Sequence, residues 1–293
     1  MGILVEGYRE MRDFPLIAVD IGNSRSKFAL FEEAATPLPV PVRMLELPSR
    51  EWDETQLLSW LGHSPASCRW EVASVNRPAT ESLFRWLQSQ FSEETSSNPV
   101  ALSLEKGDIP ARASSATHAP HLRLLSHQDL PLVVAVEHPE RVGIDRLLGG
   151  VGANRLRPAN MPAIVIDLGT ALTIDYVDAG GAFQGGAILP GIGMSARALH
   201  DFTDLLPLVP LRELAAPPGP LGKSTIAALR SGLYWGAIGG MKEVIAQLSA
   251  ATGTQPQIFL TGGAAPAVAA SLHPAAIHVP HLILGAIASL PAG

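Results

Sequence analysis

The stretch LIAVDIGNSRSKFALF (residues 16–31) has a counterpart in the second half of the chain, AIVIDLGTALTIDYV (residues 163–177). Each stretch begins as an apolar strand that ends in an aspartate, Asp20 or Asp167, and then turns through a glycine into a second strand. A glycine lets the backbone turn tightly and leaves its N–H groups open to an anion. Two such phosphate-binding hairpins at half-chain spacing predict a duplicated domain that closes on a nucleotide from both sides.

The residues around the two turns suit a nucleotide phosphate and its metal ion. Asp20 can hold a hydrated Mg²⁺, and Lys27 can supply a positive charge to the phosphates. The second turn repeats the arrangement with Asp167 and Thr170, and its outgoing strand adds Asp175. An ordinary hairpin with a glycine turn is the alternative for the first motif taken alone.

A third glycine turn follows an apolar strand at QIFLTGGAAP (residues 257–266). Gly262 and Gly263 let the backbone approach a flat group such as adenine or ribose. For this turn alone, a strand-to-helix turn without a ligand is the better interpretation. The order of the three turns nevertheless matches the phosphate, phosphate and adenosine elements of the acetate and sugar kinase, heat-shock and actin superfamily.

The composition is that of a folded protein whose 293 residues suffice for two domains. Apolar residues make up 47% of the chain and charged residues 16%, which argues against disorder. The net charge of -6 offers no basic field, so no nucleic-acid partner is expected. Cys68 is the only cysteine, which excludes a disulfide within the chain and a multi-thiolate metal site.

The sequence gives no indication of a secreted or membrane protein. The first residues, MGILVEGYREMRD, have neither the apolar core nor the cleavage site of a signal peptide. Apolar runs elsewhere are broken well before the roughly 18 residues that a membrane span needs. We therefore expect a cytoplasmic enzyme without a membrane partner.

Strands and helices alternate along the chain, which predicts the α/β class. Strands are predicted near residues 16–20, 27–31, 70–75, 131–136, 163–167, 172–177 and 257–261, and helices at 80–91, 195–206 and 224–249. A boundary near residue 140 gives predicted domains of residues 14–140 and 141–293. Residues 93–120, rich in Ser, Ala and Pro, are predicted to be a surface loop or a poorly ordered insertion.

Six short strings carry a resemblance to a known family. They are DIGNSRSK (20–27), HPERVGIDR (138–146), DLGTALTID (167–175), GGAILPGIGMSARAL (185–199), LGKSTIAALRSG (221–232) and TGG (261–263). In this order they resemble the type III pantothenate kinases, and GIDR with GGAILPG is close to specific for that family. The resemblance spans residues 16–263, which is most of the chain.

The resemblance implies both a fold and an activity. The fold consists of two ribonuclease H-like domains of the actin-like ATPase type with a nucleotide cleft between them. The activity is ATP-dependent phosphorylation of pantothenate to 4'-phosphopantothenate, the first step of coenzyme A biosynthesis. It implies Mg²⁺ and a monovalent cation, K⁺ or NH₄⁺, as cofactors, and a homodimer with a shared active site.

The resemblance also implies roles at the substrate site. Asp145 would be the general base that takes the proton from the substrate hydroxyl. Phosphoryl transfer asks a protein mainly for positioning and charge neutralisation, so one such proton acceptor suffices. Gly143, Ile144 and Arg146 would line the pantothenate site with Asp145. Thr225 would contact pantothenate from the facing subunit.

At the nucleotide site, Asp167 would bind the monovalent cation and Asp20 the Mg²⁺. The residues expected to bind ATP are Asp20, Ile21, Gly22, Asn23, Ser24, Arg25, Ser26, Lys27 and Thr170, together with Gly262 and Gly263 of the third turn.

The chain departs from the family pattern at two positions. Ser24 stands where the family usually has threonine, which keeps the hydroxyl, and Val136 stands where it commonly has tyrosine. Because of Val136, a non-catalytic nucleotide-binding regulatory or accessory member of the family is the alternative function. A sugar or acetate kinase, or a phosphatase on the same fold, is a third hypothesis, and the GIDR and GGAILPG strings argue against it.

Overall fold

Two five-stranded mixed sheets form the framework of the protein, and the computed structural model describes residues 15–32, 37–94 and 122–291. The first sheet has the order β3-β2-β1-β4-β5 and contains β1 (Leu16–Ile21), β2 (Arg25–Phe31), β3 (Arg43–Pro48), β4 (Arg69–Ser74) and β5 (Leu122–Leu124). The second has the order β10-β9-β6-β7-β8 and contains β6 (Ala163–Leu168), β7 (Ala171–Val177), β8 (Phe183–Pro190), β9 (Gln257–Thr261) and β10 (Ile277–His278).

The two sheets share one topology. In each, the first strand lies in the centre, antiparallel to the second strand and parallel to the fourth. The third strand pairs antiparallel with the second, and the fifth pairs parallel with the fourth. This repeated order confirms the α/β class and the duplication that the two hairpins predicted.

The described residues also form seven α-helices. They are α1 (Glu54–Leu61), α2 (Arg77–Glu94), α3 (Ile144–Leu156), α4 (Ile192–Asp201), α5 (Thr225–Thr252), α6 (Ala265–Leu272) and α7 (Leu282–Ala288). Three helices begin within the strings that carry the family resemblance, α3 after Gly143, α4 after Gly191 and α5 after Ser224. The Ser224 hydroxyl caps α5, since it accepts a hydrogen bond from the backbone N–H of Ala227 at 3.2 Å.

Helices α3 and α7 form an apolar layer that joins the two sheets. Helix α7 packs against β1, β4 and α3, while α3 also packs on β6 and β7. Leu147 of α3 and Ile283 of α7 share one buried cluster with Leu16 of β1. A Cβ on Gly152 of α3 would lie 2.6 Å from Leu282 Cδ1, so a larger residue would force Leu282 of α7 to shift. The last helix thus completes the core of the first sheet, and the boundary near residue 140 stays a prediction.

One predicted strand is wrong. Residues 131–136 form only an isolated parallel bridge between Val134 and Phe183. Pro131 has no N–H to give to a ladder, and β8 already pairs with β7 on its other side. The predicted helices at 80–91, 195–206 and 224–249 correspond to α2, α4 and α5, with ends that differ by a few residues.

Part of the sequence-based interpretation falls beyond the described residues. Of the predicted insertion at 93–120, the structure describes only residues 93 and 94, which end helix α2. Residues 95–120 and the first residues of the chain lie outside the described ranges. Within those ranges, no helix combines the length and apolar character needed to cross a bilayer.

Candidate active site

The two aspartate-glycine hairpins face each other. The Thr170 hydroxyl in the second turn donates a hydrogen bond to the Ser24 hydroxyl in the first, with 2.8 Å between the oxygens. Both residues are exposed, so the contact lies at an open surface between the turns. The fold therefore brings the two predicted phosphate-binding turns to one site.

Strands β1 and β2 deliver an acidic and a basic side chain to the same place. The strand register sets Asp20 opposite Lys27, and Lys27 Nζ lies 3.8 Å from Asp20 Oδ2. The turn closes through a hydrogen bond of 3.0 Å from the N–H of Gly22 to the carbonyl of Arg25. A Cβ at Gly22 would lie 3.1 Å from that carbonyl oxygen, so glycine keeps the turn tight.

Other members of the first turn have different surroundings. Ile21 is buried in the core of the first sheet. Ser26 is also buried, and its hydroxyl shares a hydrogen bond of 3.0 Å with Ser49, a residue that the sequence did not single out. Asn23 and Arg25 are exposed. Ile21 and Ser26 therefore shape the turn, and any ligand contact from them would come through their backbone.

The third glycine turn lies directly against the second hairpin. A Cβ at Gly262 would lie 2.3 Å from Oδ1 of Asp167, and Gly262 has a φ of 90°, a conformation that favours glycine. The N–H of Ala264 donates to the carbonyl of Leu168 at 3.2 Å. Gly263 has open space where a Cβ would stand. The adenosine element of the sequence analysis is thus adjacent to Asp167.

The LPG part of the family strings also reaches the second turn. The N–H of Gly191 donates to the carbonyl of Thr170 at 3.2 Å. A Cβ at Gly191 would lie 2.4 Å from that carbonyl oxygen, so glycine is required at this contact. Gly191 therefore supports the turn that holds Thr170, a role the sequence alone did not indicate.

Asp145 occupies the first turn of α3. Its Oδ1 accepts a hydrogen bond of 2.8 Å from the backbone N–H of Arg146. A Cβ at Gly143 would lie 2.5 Å from the same oxygen, so glycine leaves room for this position of the carboxylate. Ile144 is buried in the apolar layer of α3 and α7. Gly143 and Ile144 thus seat the start of the helix that carries Asp145.

Asp20, Asp145, Asp167 and Lys27 form one electrostatic cluster. Burial raises the pKa of Asp20 to about 7; the charge of Lys27 opposes the shift, and the other two aspartates reinforce it. Burial raises the pKa of Asp167 to about 6, again with Lys27 opposing and Asp145 reinforcing. Burial also raises the pKa of Asp145, against the opposing effect of its hydrogen bond and of the nearby Arg146 charge. Three carboxylates therefore share Lys27, and the cluster favours an added cation.

Asp167 has an acceptor atom available for such a cation. Its Oδ1 is buried and has no hydrogen-bond partner among the described residues. A buried carboxylate oxygen without a partner is costly, and a bound cation would satisfy it. The described ranges hold no group of three or more His, Cys, Asp or Glu side chains arranged for a metal. The residues therefore fit a cation held by one or two carboxylates together with phosphate and water, as Mg²⁺ commonly is.

A buried ion pair links α3 to β7 beside this cluster. Arg146 Nε and Nη2 both donate to Oδ1 of Asp175, at 2.9 Å and 2.5 Å. The Arg146 guanidinium carbon also lies 5.7 Å from the centre of the Phe183 ring. Burial raises the pKa of Asp175 to about 6, although the bond and charge of Arg146 oppose the shift. The sequence placed Asp175 on the outgoing strand but gave no sign of its partner.

Thr225 lies on α5, a helix that carries none of the other predicted site residues. It is the first residue of α5 and lines an apolar cavity of about 450 Å³ between α4, α5 and the β7–β8 hairpin. None of the other predicted site residues lines this cavity. Just beyond α4, the side chains of Phe202 and Leu205 are 87% and 90% exposed. Within one chain, Thr225 therefore borders an apolar surface.

Comparison with known sequences identifies the family. A sequence model described as type III pantothenate kinase matches residues 60–247. A type III pantothenate kinase of Rhodopirellula baltica is 32% identical over an alignment that covers 94% of this chain and 97% of the relative. One of Rhodospirillum rubrum is 34% identical and covers 86% of this chain and 88% of its own.

Comparison with solved structures concerns the fold. A candidate 2-dehydro-3-deoxygalactonokinase of Sinorhizobium meliloti superposes with a TM-score of 0.51 at 15% identity, covering 94% of this chain and 97% of that chain. At this identity the likeness shows the fold alone. It agrees with the two similar sheets, so the predicted fold of two α/β domains, of the kind found in this kinase, is confirmed. By its sequence matches, the chain belongs to the type III pantothenate kinase family.

Proposed function

We propose that this protein phosphorylates pantothenate with ATP and so forms 4'-phosphopantothenate, the first step of coenzyme A biosynthesis. The observation that carries the proposal is the position of Asp145, which interacts electrostatically with Asp20, Lys27 and Asp167. A proton acceptor beside a phosphate-binding cluster is what phosphorylation of a hydroxyl requires. Family membership supports pantothenate as the acceptor and the cytoplasm as the compartment.

In this reaction Asp145 is the general base. The hydroxyl oxygen of pantothenate attacks the γ-phosphorus of ATP, the bond from that phosphorus to the β–γ bridging oxygen breaks, and ADP leaves. The hydroxyl proton passes to the Asp145 carboxylate. Burial, which raises the pKa of Asp145, makes this carboxylate a better proton acceptor than an exposed aspartate. Gly143, Ile144 and Arg146 line the pantothenate site around it.

The two hairpins hold the nucleotide phosphates. Residues 20–27 and Thr170 bind them through backbone N–H groups, hydroxyls and the Lys27 ammonium, and the hydroxyls of Ser24 and Thr170 already lie 2.8 Å apart. Gly262 and Gly263 form the adenosine side of the site, since the third turn packs on the second hairpin. Positioning and charge neutralisation of this kind are the main demands of phosphoryl transfer.

Two cations complete the proposed site. Asp20 would hold Mg²⁺ and Asp167 would hold K⁺ or NH₄⁺. The unpartnered Oδ1 of Asp167 supports a cation at that residue, and the ion-replacement assay below tests which ion it is. When bound, the cations neutralise the charge that the phosphates add to a cluster already rich in carboxylates. Lys27 and these cations together balance Asp20, Asp145 and Asp167.

A homodimer would give Thr225 its proposed contact with pantothenate. Large apolar side chains are exposed between the end of α4 and the start of α5, where Thr225 stands, and exposed apolar patches mark interfaces in soluble proteins. The exposed apolar side chains are those of Leu199, Phe202, Leu205, Leu208, Leu211 and Leu221. A two-fold axis through this surface would cover it and bring Thr225 of one subunit to the pocket of its partner.

A non-catalytic nucleotide-binding role within the family is the second candidate. Val136 packs beside the apolar layer of α3 and α7, and a Cβ at Gly185 would lie 3.5 Å from its Cγ1. Its side chain has no hydroxyl to offer a substrate. A regulatory or accessory member of the family would need ATP binding without turnover.

The deciding experiment measures ADP and phosphorylated product directly by chromatography and mass spectrometry. Pantothenate is supplied with ATP and Mg²⁺, and acetate and a set of sugars serve as parallel acceptors. We expect pantothenate-dependent ADP formation and a product heavier than pantothenate by one phosphoryl group. ATP binding without product would favour the non-catalytic role, and turnover of a sugar or of acetate would contradict both proposals.

The same assay tests the monovalent cation. Replacing K⁺ or NH₄⁺ with Na⁺ at constant ionic strength should abolish most turnover, because an oxygen-ligand site discriminates by ion size and ligand number. Direct product detection matters here, since coupling enzymes can have ion requirements of their own. Full activity in Na⁺ would show that Asp167 serves Mg²⁺ or the fold instead.

A further inference from the structure

The Arg146 guanidinium is clamped on two sides. Its Nε and Nη2 atoms bind the same oxygen of Asp175, at 2.9 Å and 2.5 Å, and its plane lies near the Phe183 ring. Asp175 is only 1% exposed, and the Arg146 side chain keeps 15% of its surface in contact with solvent. Asp175 and Phe183 therefore hold the Arg146 side chain in place, and only a small part of it, its open edge, is accessible to solvent.

Asp145 is the competing partner for this guanidinium. It is the preceding residue, and its carboxylate already accepts the backbone N–H of Arg146. The positive charge of Arg146 also acts on Asp145, where it opposes the effect of burial on the pKa. A guanidinium that turned to Asp145 would form a charge-assisted pair and occupy the oxygen that must take the proton. In the described residues, however, the hydrogen bonds and ion pair of this guanidinium go to Asp175.

We propose that Asp175 is a positioning residue for catalysis, which holds the Arg146 guanidinium away from Asp145 and fixes its open edge toward the substrate. The inference rests on the proposed kinase function and adds a residue to its site. Nη1 of Arg146 has no hydrogen bond within the described part of the chain, so this atom is left to meet an acceptor group of the substrate, a carboxylate or a carbonyl oxygen.

The local backbone is built around this pair. Asp175 pairs with Gly186 in the β7–β8 register, which then shifts by a bulge between Asp175 and Val177. A Cβ at Gly186 would lie 2.8 Å from the Cα of Asp175 and 2.0 Å from the carbonyl oxygen of Ile174, so only glycine allows this approach. The GG of the GGAILPG string thus sets the strand position from which Asp175 reaches α3.

The test is Asp175→Asn, which removes the charge but keeps an acceptor oxygen of similar size. We expect the KM for pantothenate to rise about tenfold or more and kcat to fall, because the guanidinium is freed to pair with Asp145. The KM for ATP should stay within about twofold, since the nucleotide elements are untouched. If pantothenate KM and kcat both stay at wild-type values in the folded variant, the inference is wrong.

A matched control separates positioning from simple stabilisation. Glu71 is likewise 1% exposed and pairs with Arg69 at 3.2 Å, but it lies on β4 of the first sheet and has no role in the proposed site. Glu71→Gln should lower the melting temperature, as a weakened buried ion pair does, and leave both KM values unchanged. A similar kinetic change in both variants would assign Asp175 a structural role only.

A double-mutant cycle identifies the residue through which Asp175 acts. Arg146→Gln is measured alone and together with Asp175→Asn. If Asp175 works only by holding Arg146, adding Asp175→Asn to Arg146→Gln should cost little further activity. Fully additive losses would overturn the inference.

Two further safeguards keep the outcome decisive. Should Asp175→Asn fail to fold, Asp175→Ser removes the charge without adding volume, and the same expectations apply to it. Wild-type turnover is measured first. Absence of pantothenate-dependent ADP formation in wild type would overturn the proposed function and this inference with it, whereas normal wild-type turnover with unaffected Asp175 variants overturns the inference alone.

Discussion

Asp145 is the side chain on which the proposed chemistry depends most directly. Asp145→Asn keeps the shape of the side chain but removes the proton acceptor, so kcat should fall by roughly 10² or more. The ATP dissociation constant should change little, because Asp20, Lys27 and Thr170 remain in place. Steady-state kinetics and calorimetric ATP titration measure the two quantities. A folded variant with near-normal kcat would remove Asp145 from its assigned role.

The buried carboxylates predict how stability depends on pH. The folded-state pKa is raised from 3.8 to about 7 for Asp20 and to about 6 for Asp167 and Asp175. A raised carboxyl pKa means that the folded protein binds protons more tightly than the unfolded chain, so these groups favour folding at low pH. Their contribution should be lost as the pH rises from about 4 through about 7.

Thermal unfolding of the ligand-free protein across this range measures the effect. The melting temperature should decline with rising pH, and Asp20→Asn should make the decline shallower, because the residue with the highest of the three pKa values no longer titrates. Mg²⁺ with ADP should stabilise the protein more at the upper end of the range, where the carboxylates are charged. An Asp20→Asn curve parallel to that of wild type would contradict the assignment of a raised pKa to Asp20.

At the scale of single residues, local strings predicted much of the site. Asp20, Lys27 and Asp167 could be located because each stands in a short strand-turn-strand pattern whose geometry is local. Asp175 could not be given a role, since its partner Arg146 comes from a different element and the pairing depends on how α3 packs on β7. Ser49 was missed for the same reason, because it reaches Ser26 across the sheet.

Among the elements, the third glycine turn offers a test with a built-in control. A Cβ at Gly262 would meet Asp167 Oδ1 at 2.3 Å on a backbone with φ of 90°, so Gly262→Ala should destabilise the fold by about 1–3 kcal/mol. Because the added Cβ presses on Asp167, the Gly262→Ala substitution should also weaken ATP binding. Gly263 has open space at the Cβ position and no positive φ, so Gly263→Ala should melt close to wild type. Equal melting temperatures for the two variants would show that the turn relaxes freely.

The sequence missed the edge strands of both sheets and also the helices α1, α3, α6 and α7. The central hairpin strands β1, β2, β6 and β7 were predicted because they are apolar runs flanking a glycine. The edge strands β3, β5, β8 and β10 were not predicted. β5 and β10 have only three and two residues, and neither β3 nor β8, which contains two glycines, was recognised from its own pattern. The wrong strand at 131–136 is apolar enough for a strand but begins at a proline and makes a single bridge.

The whole molecule combines two features: a duplicated sheet, and a last helix that returns to pack on the first sheet. Both sheets repeat one strand order, which the spacing of the two hairpins foretold. The packing of α7 on the first sheet was not foretold, because nothing local in an apolar segment says which distant sheet will bury it. Helices α3 and α7 therefore join the two sheets, and α3 also carries Asp145 in its first turn.

The assembly of the molecule is tested by complementation between two inactive chains. If Thr225 reaches the pocket of the partner subunit, each active site takes GIDR from one chain and Thr225 from the other. Asp145→Asn and Thr225→Arg should each be nearly inactive alone, because both sites of each homodimer carry the same lesion. In a mixed dimer, one site combines Asp145 of one chain with Thr225 of the other and is intact, while the second site carries both lesions. Random exchange makes about half of the dimers mixed, so turnover should recover to about a quarter of the wild-type value. Native mass spectrometry verifies that exchange has occurred, and exchanged chains without recovery would show that each site is built within one subunit.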